Sequence, residues 1–133
     1  MSRMLQPVDW QESRGFAHGV VARGRLVFTA GQIGWDERNR IHSRNLVDQV
    51  RQALRNVLAI VAEAGGGPEH IVRLTWFITD KSEYSEHQKE IGEVYREVMG
   101  YHYPAMSVLV VAALIEDDAK VEIEATAVVP EEE

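Results

Sequence analysis

The apolar positions of this chain change their spacing several times, and each change marks an element. In "HGVVARGRLVFTAGQIG" two short runs rich in β-branched residues, about 18–22 and 25–31, are separated by Arg23-Gly24. That spacing predicts a hairpin. Residues 35–44, "WDERNRIHSR", are charged and without a period, as expected of an exposed loop. From Asn45 onward Val47, Val50, Leu54, Val57, Leu58 and Val61 recur at steps of three or four, up to Gly65-Gly66-Gly67-Pro68. This is an amphipathic helix with an N-cap at Asn45 and a glycine stop. "HIVRLTWFITD" (70–80) clusters β-branched and aromatic residues and predicts a strand ended by Asp80. A second helix is expected from about Ser85 to Met99, with Ile91, Val94, Tyr95 and Val98 on one face, before Pro104. Two strands, about 106–113 and 120–129, close the chain around the acidic turn Glu116-Asp117-Asp118.

The order ββαβαββ implies an α+β fold, read here as a six-stranded sheet with two helices on one face. The helices cover that face only. On the strand at 70–80, alternation assigns Val72, Leu74, Trp76 and Ile78 to one side and Ile71 and Phe77 to the other, so both sides are apolar. An apolar sheet face without cover predicts self-association.

Composition narrows the function. The 133 residues, 45% hydrophobic, fit a single domain spanning 1–133, with a core at about 15–129 and an acidic tail at 130–133. A net charge of −7 provides no general field for a polyanion, which argues against nucleic acid as a partner. Cysteine is absent, the N-terminal stretch lacks a secretory pattern, and the longest apolar run, 108–115, is too short for a membrane span. The expectation is a cytoplasmic protein without membrane contact. There is no HExxH, P-loop or G-x-S-x-G pattern, and the triple glycine follows a helix, so neither a metal nor a cofactor is expected.

One stretch poses a chemical question. In "VEIEATAVV" (121–129) the strand period places Glu122, Glu124, Thr126 and Val128 on one face and five apolar residues on the other. The two carboxylates are either proton-transfer groups or the wet side of a half-buried strand.

The stretches "FTAGQIG" (28–34), "DQVRQALRNVLAIVAEAG" (48–65), "HIVRLTWFITD" (70–80), "EVYREV" (93–98), "YPAMSV" (103–108) and "KVEIEATAV" (120–128) resemble, in order and spacing, the RidA/YjgF family, long labelled endoribonuclease L-PSP. The likeness covers about residues 15–129. It implies a chorismate-mutase-like fold, a homotrimer, and sites for a small-molecule ligand in clefts between subunits. Active members hydrolyse reactive imines and enamines. In them the "YPxRS" position holds an arginine that grips the substrate carboxylate, and the first glutamate of "EIEA" positions the attacking water.

Here the glutamate is present as Glu122, whereas "YPAMS" places Met106 at the arginine position. Phe16, Ala30 and Gly92 stand where the family pocket has a tyrosine, a serine and an asparagine. Gly31, whose backbone N–H is a donor, and Glu122 remain as the catalytic pair. The substrate-binding candidates are Phe16, His18, Ala30, Gly92 and Met106. Met replaces two charge-assisted bonds of about 1.5–3 kcal/mol each with none, so an α-imino acid should bind poorly. A carboxylate in an apolar cleft suits proton transfer near neutrality. Met106 reads equally as interface filling or pocket wall. Glu122 reads equally as structural, and His18, His102 and Trp76 have bland readings as strand, loop and core residues. Two functions follow: an enzyme acting on an enamine, imine or related compound without an α-carboxylate, or a non-catalytic trimeric ligand-binding or protein-interaction module.

Overall fold

The computed structural model describes residues 2–131; Met1 and, from the acidic tail, Glu132 and Glu133 lie outside the described residues. The chain runs β1 (Ser2–Leu5), β2 (Gly19–Ala22), β3 (Arg25–Phe28), α1 (Leu46–Glu63), β4 (Ile71–Ile78), α2 (Lys81–Glu86), α3 (Gln88–Met99), β5 (Ala105–Val110) and β6 (Val121–Val129). Four strands form one sheet in the order β3-β6-β4-β5. Within it β4 and β5 are parallel, and the other two pairings are antiparallel.

The expected single six-stranded sheet is therefore divided: β1 and β2 form a separate two-stranded ribbon. The expected hairpin does not form, because β2 and β3 pair with other strands, in different sheets. Gly24 between them has φ 149° and lies against the Val129 carbonyl, where a Cβ would come within 2.3 Å of the oxygen. Arg25 then enters register with Val129, and its Nη2 donates to the Ala64 carbonyl at 3.0 Å. The turn thus commits β3 to β6, while β2 pairs with Ser2–Leu5, a segment whose sequence has no strand alternation.

α1 follows its pattern closely. The Asn45 side chain accepts from the Asp48 N–H at 3.2 Å. At the other end Gly65 adopts φ 83°, with its N–H bonded to the Ala62 carbonyl and the Gly66 N–H to the Val61 carbonyl. These two bonds make a Schellman stop, which satisfies carbonyls the helix would otherwise leave open. The second predicted helix begins earlier than expected and is broken at His87. Asp80 does end β4, but it also caps α2, accepting from the Glu83 N–H at 3.0 Å. β5 ends at Val110, short of the predicted 113.

The core lies between one sheet face and the helices. Val50, Leu54, Val57 and Val61 of α1 and Ile91, Val94, Tyr95 and Met99 of α3 pack on Leu74, Trp76 and Ile78 of β4 and on Val121, Ile123, Ala125 and Ala127 of β6. Each fully buried aliphatic side chain stabilises the fold by about 1.5–3 kcal/mol. Ile71 joins this core, contrary to its assignment beside Phe77. The ladder with β6 slips between Ile71 and Arg73, and this bulge returns Ile71 to the helix side. The opposite face carries Arg73, Thr75 and Phe77 with Glu122, Glu124, Thr126 and Val128, flanked by Leu26 and Phe28 of β3 and Leu109 of β5. Leu26 and Phe28 are 62% and 70% exposed.

Candidate functional site

Glu122 lies on the open face, paired in register with Phe77. The loop after β3 is laid alongside it by two backbone bonds of 2.8 Å, Gln32 N–H to the Ile123 carbonyl and Ile123 N–H to the Gln32 carbonyl. A further pair anchors the corner: Thr29 N–H to the Ala125 carbonyl and Ala125 N–H to Thr29 Oγ1, both 3.0 Å. Gly31 is thereby pressed onto the Glu122 side chain. A Cβ at Gly31 would stand 2.3 Å from Glu122 Oε2 and 2.7 Å from its Cγ, so the approach requires glycine. Among the described residues the Glu122 carboxylate has no hydrogen-bond or ion-pair partner. Ala30, exposed beside Gly31, lends its carbonyl to Gln32 Nε2 at 3.3 Å. Glu124 is exposed opposite Thr75, as a solvent-face charge.

Met106 is elsewhere. It pairs in register with Leu74, faces the helices and packs against the core. With Gly92 it lines a cavity of about 290 Å³ bounded by Trp76, Tyr84, Tyr95 and Tyr103. The rings form a stepped stack, with Trp76 to Tyr95 centroids 6.4 Å apart at 28° and Tyr95 to Tyr103 5.2 Å apart at 12°. The Tyr95 hydroxyl donates to the His102 carbonyl at 2.6 Å. Burial, with Tyr103 as a lesser cause, pushes that hydroxyl well above the ordinary tyrosine range. His102 is itself a tie, with Nε2 2.7 Å from the Ile71 carbonyl.

Phe16 and His18 form a third group. His18 stands edge-on between Trp10 and Phe16, with centroids at 4.9 and 5.2 Å, on a surface cavity of about 320 Å³ beside the β1-β2 ribbon. Gly15 and Tyr103 border both this cavity and the one at Met106. A single chain thus brings Ala30, Gly31 and Glu122 together on one side of the sheet, and Gly92 and Met106 together on the other, with Phe16 and His18 adjoining the second group.

The helical spacing assigns Tyr95 to the apolar face of the second helix but gives Tyr84 and Tyr103 no role. Their signal was available in part. Gln88, Gly92 and Arg96, all lining the cavity, recur at intervals of four along α3, and Tyr84 stands four residues before them on α2.

Residues 10–129 match the family model described as endoribonuclease L-PSP. The chain is 40% identical over 108 residues to TdcF of Escherichia coli strain K12, whose name assigns it to the reactive intermediate deaminases; the match covers 79% of this chain and 80% of that one. A RutC family protein of Pasteurella multocida is 35% identical over 109 residues, covering 82% and 84%. Among solved structures, the Rid family protein YyfB of Yersinia pestis superposes with a TM-score of 0.86 at 28% identity, covering 96% of this chain and 98% of that one. E. coli TdcF with bound serine gives 0.69 at 33% identity, with 96% and 98% covered. The family match over nearly the whole length, together with relatives of this identity and coverage, establishes that the chain belongs to the endoribonuclease L-PSP family, the RidA/YjgF proteins.

Proposed function

We propose that the protein is a RidA-like small-molecule hydrolase acting on the C=N bond of an imine, or of an enamine in its imine form, that lacks an α-carboxylate. The observation that carries this reading is the unpartnered Glu122 carboxylate, pressed onto Gly31 on an uncovered sheet face. In the proposed step Glu122 accepts a proton from water as its oxygen adds to the imine carbon, and returns it to the nitrogen. The carbinolamine then collapses, releasing ammonia and leaving a carbonyl compound, so one imine and one water give one carbonyl and one ammonia. The Gly31 N–H serves as a donor to the developing polar intermediate.

Because Glu122 and Met106 face opposite sides of one sheet, a site that uses both is built from two copies of the chain. A homotrimer closed by the open sheet face, acting in the cytoplasm, is the assembly we propose. The bound serine in the TdcF structure supports a small molecule as the ligand class. Met106 at the position of the family arginine supports a substrate that does without an α-carboxylate.

Glu122→Gln tests the reading. With an imine released from benzylamine by a flavin amine oxidase, the substitution should lower the rate of imine hydrolysis above the spontaneous background by about a hundredfold or more, within the usual range for loss of a general base, and leave the oligomer intact. Unchanged turnover would make Glu122 a sheet residue only. The second reading, a binding module without catalysis, is favoured by the apolar wall at Met106; it predicts ligand binding without turnover in the wild type.

A further inference from the structure

The cavity behind Met106 is lined by a cation, Arg96, that has no acidic partner among the described residues. A Cβ on Gly92 would lie 3.3 Å from Arg96 Nη1 and 4.0 Å from its Cζ, so the guanidinium is folded back across the bare face of Gly92 and lines the cavity. Among the described residues no carboxylate pairs with it. The neighbouring Glu97 is engaged by Arg51 at 2.9 Å and Arg55 at 3.4 Å. The absence of a side chain at position 92 lets the guanidinium lie close over this part of the cavity wall.

A second observation points to a ligand independently. Trp76, 2% exposed, lines the same cavity, and its Nε1–H is buried without a partner among the described residues. Buried donors are ordinarily satisfied, and an orphan calls for an acceptor that the chain does not supply. Beside it Tyr84 and Tyr103, the latter backed by the buried Tyr95 ring stacked 5.2 Å behind it, give the cavity aromatic walls. Met106 closes the cavity with a polarisable, adaptable side chain.

We propose that this cavity binds a planar, conjugated organic acid. Its carboxylate is held by Arg96 through the paired N–H groups of the guanidinium, its π-system lies against the aromatic walls, and an acceptor atom satisfies the Trp76 indole. This deepens the reading above, on which it rests for taking Met106 and Gly92 as a wall of the substrate site. Taken together, the two assign a substrate whose acid group is carried elsewhere than on the reacting carbon. Arg96 is then the specificity-determining residue, delivering from α3 a charge that β5 does not carry.

The test is direct binding to the full-length protein, by calorimetry, of trans-cinnamate and of its neutral isostere trans-cinnamamide. Cinnamate should bind roughly tenfold more tightly than the amide, the share of one charge-assisted hydrogen bond at a partly exposed site. Arg96→Gln, at an exposed position that leaves the core untouched, should erase that preference, and Arg96→Lys should keep part of it. Equal binding of the two compounds, absence of binding, or a preference that survives Arg96→Gln would overturn the proposal. Glu122→Gln separates the two readings, because it should stop turnover while the preference for cinnamate over the amide, which Arg96 sets, persists. Turnover lost in Glu122→Gln with no cinnamate preference in the wild type would sink the cavity proposal alone; cinnamate preference with turnover untouched by Glu122→Gln would sink the catalytic reading alone.

Discussion

The two faces of the four-stranded sheet are made from the same strands by alternate residues, yet only one of them is finished within the chain. On β6, Val121, Ile123, Ala125, Ala127 and Val129 are buried beneath the helices, while Glu122, Glu124, Thr126 and Val128 look outward among Leu26, Phe28, Phe77 and Leu109. The covered face is apolar along β4 and β6 and holds the fold together, and only at its β5 edge do Val108 and Val110 stay exposed. The open face mixes exposed large hydrophobic side chains with two carboxylates, a composition suited to an interface that also does chemistry. The stability of the chain and its candidate catalysis are thus assigned to opposite sides of a single strand.

Substitutions on the two faces should therefore fail in different ways. The largest effect belongs to the covered face. Leu74→Ala, at a position with no exposed surface, should lower the unfolding free energy by about 2–5 kcal/mol in urea titration. On the open face Phe28→Glu should leave the monomer's helical content and unfolding midpoint near wild type but raise the dissociation constant of the oligomer roughly thirtyfold, equivalent to about 2 kcal/mol. Sedimentation velocity distinguishes the outcomes, and an oligomer that ignores Phe28→Glu would place the interface elsewhere.

A smaller effect is expected where the open face meets the loop after β3. Gly31→Ala forces Glu122 to move, since the new Cβ would otherwise stand 2.3 Å from its Oε2. Stability should fall by about 1–3 kcal/mol while imine turnover drops further than that loss accounts for. Turnover equal to wild type would show that the Glu122 position is not used. The smallest effect lies away from both faces. Asp36, held by the His42 ring and by the Arg38 and Arg40 N–H groups, has its carboxyl lowered from 3.8 to about 2. A lowered folded value stabilises above the unfolded value, and that contribution disappears as pH falls through the window from 3.8 to about 2. Asp36→Asn should flatten the pH dependence of stability in that window only, and because the carboxylate and its His42 partner sit at the surface, where solvent screens them, the change should be slight.

Much of this contrast was legible in the sequence. The alternation in "VEIEATAVV" assigned each β6 residue to its face, and the Asn45 cap, the three-to-four spacing and the glycine stop fixed α1 nearly to the residue. An uncovered second face also followed from the count of helices. What escaped were features that depend on pairing. Ile71 and Val72 are both apolar, so nothing in their order marks a bulge, and only the β4-β6 register puts Ile71 on the helix side. Ser2–Leu5 lacks alternation and becomes a strand only through β2. The separation of Met106 from Glu122 was equally hidden, because the relative faces of β5 and β6 are set by β4 lying between them. The aromatic cavity required α2 and α3 to present Tyr84 and Tyr95 toward β4, an outcome of packing that no single stretch encodes.

The claim that one working site draws on the open face of one copy and the cavity side of another is tested most directly by complementation. Glu122→Gln and Met106→Trp, the second filling the cavity, should each give an intact but inactive oligomer. Co-expressed with different tags and isolated by tandem affinity, the mixed trimers should recover about a third of wild-type ammonia release per site, because each of them joins an unmodified face to an unmodified partner at one of its three interfaces. Mixed oligomers that form normally and remain as inactive as either parent would contradict a site shared between copies.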